Sequence, residues 1–143
     1  MRRLLLPLLL LAATTASAQP REPEWRQGIE HYVLLRVNAF EPEVIRLPAG
    51  EPVRLVFYNS SRSPLSLHAG GFFARSRVRS GDADLVANGG LLLAPGETRA
   101  VNLVPSVGRY RMRSRSWVRR LAGMSALIVV EPQARTEGQL TGR

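Results

Sequence analysis

The sequence predicts an all-β, antiparallel sandwich in one domain, on three observations. Short runs rich in β-branched and apolar residues are separated at close intervals by Pro-, Gly-, Asn- and Ser-rich clusters, the pattern of sandwich strands and their turns. No stretch shows the apolar recurrence of a long helix. One segment, Arg109 to Ser116, sets arginine against Tyr110, Met112, Ser114 and Ser116 in strict alternation, which is the period of a strand.

Taken in order, residues 1–18 read as a signal peptide. Arg2-Arg3 form its basic start, Leu4–Ala13 its apolar core and Ala16-Ser17-Ala18 its cleavage site. The core falls short of the roughly 20 residues that cross a bilayer, so the sequence predicts cleavage after Ala18 and no transmembrane segment in the mature chain. Residues 19–30 are a polar arm containing two prolines. The domain is expected over 31–131, with strands at Tyr32–Val37, Val44–Leu47, Val53–Tyr58, Leu91–Leu93, Ala100–Val104, Arg109–Ser116 and Ala126–Val130. Breaks fall at Pro48-Ala49-Gly50, Ser60–Pro64, Asn88-Gly89-Gly90 and Ala94-Pro95-Gly96. Arg75–Arg79 fits either a strand or a helical turn. Residues 132–143 lack periodicity and read as a flexible tail.

Composition narrows the partners. The chain has 143 residues, and all 20 of its basic residues are arginine, against 11 acids. Without residues 1–18 the net charge falls from +9 to +7. The excess sits in the strand-rich part, where residues 52–130 hold only Asp82, Asp84 and Glu97 as acids. A nucleic acid fits the charge but not an export signal. An anionic surface or an acidic protein fits both, in the periplasm or outside the cell. There is no cysteine, hence no disulfide and no thiolate for metal or nucleophilic chemistry. Neither a nucleophile elbow nor a phosphate-binding glycine loop occurs, so the expected role is not enzymatic.

Ordered motifs carry a resemblance. His31–Asn59 contains Phe40-Glu41-Pro42, the turn Pro48-Ala49-Gly50-Glu51, and Val53–Tyr58 followed by Asn59. Phe72-Phe73, Ala94-Pro95-Gly96-Glu97-Thr98 and Val104-Pro105-Ser106-Val107-Gly108-Arg109-Tyr110 follow in turn. Over residues 31–131 this resembles the cupredoxin-like domains of exported bacterial proteins, and is similar to the copper domain of cytochrome oxidase subunit II. The resemblance implies a Greek-key β-sandwich. It also implies four copper-ligand positions, here Leu65, Ser114, Arg119 and Met124. In the family these are two histidines, a cysteine and a methionine.

Three of the four depart from that pattern. A type 1 copper centre needs a thiolate and two imidazoles with a weak axial group. Leucine offers no donor, a serine hydroxyl stays protonated, and arginine is a permanent cation. The ligand set therefore implies no cofactor, copper included. Leu65 and Met124 are expected to pack together, Ser114 to hydrogen-bond to backbone and Arg119 to reach water. The alternative is a copper-handling or electron-transfer protein with non-standard ligands such as His68 and Met124. His31 has no partner in the sequence. Asp82-Ala83-Asp84 resembles a short acidic metal motif but sits where a turn is expected.

The remaining candidate is the arginine ladder. Arg109, Arg111, Arg113 and Arg115 fall on one face of the expected strand, and Arg119 and Arg120 extend the charge into the following loop. Trp117 lies beside them, placed either to anchor a partner or to cover one end of the sandwich. These seven residues are the expected contact face for an anionic surface or an acidic protein. A plain solvated face is the competing reading.

Overall fold

Alternation of buried and exposed side chains decides how each strand sits. In the computed structural model, which describes residues 21–134, Val53, Leu55, Phe57 and Asn59 are buried while Arg54 and Tyr58 face out. The expected signal peptide, and 135–143 of the expected tail, lie outside the described residues.

The strands are β1 (Ile29–Leu35), β2 (Phe40–Glu41), β3 (Val44–Pro48), β4 (Val53–Asn59), β5 (Leu65–His68), β6 (Arg77–Val78), β7 (Gly90–Leu93), β8 (Thr98–Val104), β9 (Gly108–Arg113) and β10 (Ser125–Glu131). Two short helices interrupt them, α1 (Gly70–Arg75) and α2 (Trp117–Leu121), with 3-10 turns at Trp25–Gln27 and Ser80–Val86. One sheet has the order β2-β1-β4-β8-β6 and the other β3-β10-β9-β5-β7.

The architecture is the all-β sandwich expected, with one correction to its pairing. β1 pairs with β4, and β3 with β10, in parallel. The chain switches sheets between β2 and β3 and again before β4. β4 thus returns beside β1 in the same direction, which a succession of hairpins would not give. β1 also starts at Ile29, inside the stretch expected as an arm, and β9 ends at Arg113 rather than Ser116. Arg75–Arg79 resolves into the end of α1 followed by β6, a helical turn and a short strand in succession.

The inner faces supply a continuous core that includes Leu35, Phe40, Phe57, Leu65, Leu67, Phe72, Leu93, Leu103, Met112, Met124 and Ile128. Phe72 of α1 meets Tyr110 edge to face, with ring centroids 5.5 Å apart. Tyr110 Oη donates to the Ser106 carbonyl at 2.9 Å. Gly108 has φ +153, and a Cβ there would stand 2.8 Å from Tyr110 Oη, which explains a glycine two residues before that tyrosine.

Asn59, fully buried, ties the loops at one end of the sandwich. Its Nδ2 lies 2.9 Å from the Ser63 carbonyl and 3.1 Å from that of Leu93, while its Oδ1 accepts from Ser61 N at 2.9 Å. A buried amide with every polar atom engaged fixes loop geometry at little desolvation cost. The same end carries α2.

Candidate functional site

β9 presents Arg109, Arg111 and Arg113 outward and buries Tyr110 and Met112. Register with β10 places Val129 beside Arg109, Leu127 beside Arg111 and Ser125 beside Arg113. On the other flank His68 pairs with Arg113. No carboxylate stands in register with any of the three. The ion pairs of the described residues are elsewhere: Arg36–Glu41, Arg46–Glu131, Arg54–Glu30 and Arg99–Glu97. Alternate residues on a strand are about 6.6 Å apart, so neighbouring guanidinium groups repel by about 0.6 kcal/mol in water. That is a small cost, and salt reduces it further.

Arg115 does not continue the ladder. The strand has ended, and its guanidinium donates to the Asn88 carbonyl at 2.8 Å, because the chain is already turning toward α2. Arg120 is likewise turned back, donating to the carbonyls of Ser114 at 3.3 Å and Arg115 at 2.8 Å. Its stem still lines a groove of about 360 Å³ formed by Arg111, Arg113, Trp117, Leu121, Met124 and Ser125. Trp117 does not cover the sandwich end: it is 66% exposed, with Val118 at 55% and Leu121 at 78%.

Arg119 was expected to reach into water. Instead it is half-buried and clasps two loops, donating to the Val37 carbonyl at 2.6 Å and approaching Ser63 Oγ at 3.4 Å. The carbonyl beyond β1 needs a donor, and the guanidinium fork supplies it.

The other implied ligand positions, Leu65, Ser114 and Met124, are buried. Ser114 Oγ accepts from Ser116 N at 3.3 Å. His68 and Met124, the alternative pair, are not brought together. His68 is on the exposed face of β5, its ring against Gly70 and Gly89, whereas Met124 is fully buried. Asp82 is engaged as well, its carboxylate accepting from Asn102 N at 2.9 Å and Asn102 Nδ2 at 2.8 Å. Among the described residues no group of three His, Cys, Asp or Glu side chains is placed to hold a metal ion. The four implied positions therefore do not fit copper: one is aliphatic, one hydroxyl is already bonded, one is cationic and only a thioether donor remains.

Solved structures share this architecture. Auracyanin from the photosynthetic bacterium Roseiflexus castenholzii superposes with a TM-score of 0.54 at 14% identity, over 73% of this chain and 98% of that one. Auracyanin A from Chloroflexus aurantiacus, a "blue" copper protein, gives 0.51 at 16%, over 73% and 99%. A multi-copper oxidase from Pseudomonas thermotolerans gives 0.55 at 16%, with 77% of this chain on 31% of the oxidase. No family model and no curated protein sequence matches the chain. The chain thus has the cupredoxin-like fold that its motifs imply.

The expectation of no cofactor is corrected by the same comparison. Structures similar to this chain include a blue copper protein and a multi-copper oxidase. Sequence reasoning placed Trp117 on the contact face but missed Val118 and Leu121, the rest of the apolar tip. The signal was available: Trp117, Val118 and Leu121 sit in an otherwise basic run, at helical spacing.

Proposed function

We propose that this chain is an exported, non-enzymatic binding module on a cupredoxin-like scaffold, with the arginine-bearing face of β9 and the adjoining α2 end as its contact surface for an anionic partner. One observation carries the reading. On the other strands Arg46, Arg54 and Arg99 are each matched with a carboxylate and Arg77 donates to the Arg21 carbonyl at 3.5 Å, whereas Arg109, Arg111 and Arg113 stand in a row with neither kind of partner among the described residues. A guanidinium donates two parallel hydrogen bonds to a carboxylate or phosphate, and a rigid strand holds three of them in line. The type 1 ligand positions at that end serve packing and loop clasping in this reading, with Leu65 and Met124 in the core and Arg119 holding Val37.

The test is binding to two anionic probes, poly-glutamate and phosphatidylglycerol vesicles, across salt concentration. Arg111→Gln with Arg113→Gln should weaken binding by about tenfold or more, at about 1 kcal/mol per surface arginine, and flatten the salt dependence. Equal binding by the double variant at low salt would reduce the ladder to a solvated face.

A second reading keeps copper, favoured by the blue copper protein among the similar structures. It places copper on non-standard ligands such as His68 and Met124. Since His68 is exposed and Met124 is fully buried, His68 is the donor to test. Uptake of copper by wild-type protein that is lost in His68→Ala would support this reading, and no uptake by the wild type would remove it.

A further inference from the structure

Building on the ladder reading, we propose that the anionic partner is a lipid bilayer surface, which the chain enters with α2. Trp117, Val118 and Leu121 insert among the headgroups, while Arg111, Arg113 and Arg120 meet phosphates at the groove beside them. The tip has the composition of an interfacial anchor. Its three large apolar side chains are 66%, 55% and 78% exposed, although the fold has a well-filled core a few residues away. Arg119 brings the Val37 loop alongside through its 2.6 Å bond, and Val37 is 51% exposed as well. A contiguous apolar tip of this kind marks an interaction surface.

Charge decides between the anionic partners. Of the segments meeting at this end, 36–39, 60–64 and 114–124 contain arginines and no acidic residue, while the nearby acids Glu41 and Glu97 are already paired with Arg36 and Arg99. An acidic protein would answer the arginines but would also have to supply an apolar pocket at one fixed place. A bilayer offers both in one plane, phosphates above and acyl chains about 5–10 Å below, the depth that short amphipathic elements reach. Tryptophan favours that boundary because its ring is apolar and its N–H can stay hydrated. The groove of about 360 Å³, lined by Arg111, Arg113 and Arg120 together with Trp117 and Leu121, seats a headgroup where charge and apolar surface meet.

The chain has two tryptophans, so Trp25→Phe leaves Trp117 as the sole reporter. With phosphatidylcholine vesicles containing phosphatidylglycerol, Trp117 fluorescence should shift to the blue and become protected from aqueous acrylamide. Pure phosphatidylcholine and soluble glycerophosphoglycerol should give neither change. Trp117→Ser with Leu121→Ser should lower vesicle affinity by about tenfold or more with the salt dependence retained. The substituted side chains are exposed, so unchanged thermal melts are expected and confirm folding. Vesicle binding without a blue shift or protection would overturn insertion while leaving the ladder reading standing. Binding to poly-glutamate but not to the anionic vesicles would overturn the bilayer in favour of an acidic protein. Binding to neither would sink the ladder reading as well.

Discussion

Truncating Leu65 to alanine should destabilise the protein by about 3–4 kcal/mol, inside the range of about 2–5 kcal/mol for buried leucines. Leu65 is 1% exposed and pairs with Leu93, itself fully buried. The loss has two parts: the transfer free energy of the deleted carbons, and a penalty for the cavity left behind. β5 is hydrogen-bonded to β7 and touches β9, so the wall cannot collapse freely and the cavity part persists. Urea melts of wild type and variant measure the difference, with an unchanged slope showing that the same surface unfolds. Leu92→Ala is the control. It lies on the neighbouring strand at 62% exposure and should shift stability by less than about 0.5 kcal/mol. Met124→Ala should resemble Leu65→Ala, and a double-mutant cycle should show a coupling of about 0.5 kcal/mol or more if the two side chains touch. A Leu65→Ala effect below about 0.5 kcal/mol would refute the core placement, and with it the assignment of residue 65 to a ligand position.

His31 makes stability depend on pH. Its Nε2 is buried without a hydrogen-bond partner, and burial holds its pKa below the usual 6.5. The unfolded chain then binds more protons between the folded pKa and 6.5, so stability is full above 6.5 and falls as pH drops through the folded value. Urea midpoints from neutral to mildly acid pH should show this loss, and His31→Leu should remove it. Asp82→Ala should cost about 1–3 kcal/mol by urea melt, because it strips the acceptor from the backbone and amide N–H of buried Asn102. A loss below about 0.5 kcal/mol would show that water replaces the carboxylate without penalty.

Strands with strong apolar character were legible because alternation and burial are the same fact seen at two levels. Val53–Tyr58 and Ala126–Val130 fall within one or two residues of β4 and β10. β5 was not legible. Leu65–His68 is four residues long, follows a serine-rich loop and has too few side chains to show a period. β6 and β2, at two residues each, exist only because a neighbour offers a ladder. Tertiary pairing, not local preference, makes such strands. The parallel pairs were hidden for a related reason: nothing local reports that a chain will cross to the other sheet and return.

The site divides along the same line. Outward placement of Arg109, Arg111 and Arg113 follows from strand period alone and could be read directly. The fates of Arg115 and Arg119 could not, since both depend on carbonyls distant in sequence, at Asn88 and Val37. Counting arginines thus overstates the available charge. Arg115, Arg119 and Arg120 each spend donors on the fold, so of these six Arg109, Arg111 and Arg113 are the cations with undivided hydrogen-bonding capacity. A partner that reads charge should therefore respond most to substitutions on β9. One that reads the tip should respond most to Trp117 and Leu121, which contribute area rather than charge. Separate responses from the two sets of variants distinguish electrostatic capture from insertion, because salt screens the first and leaves the second nearly unchanged.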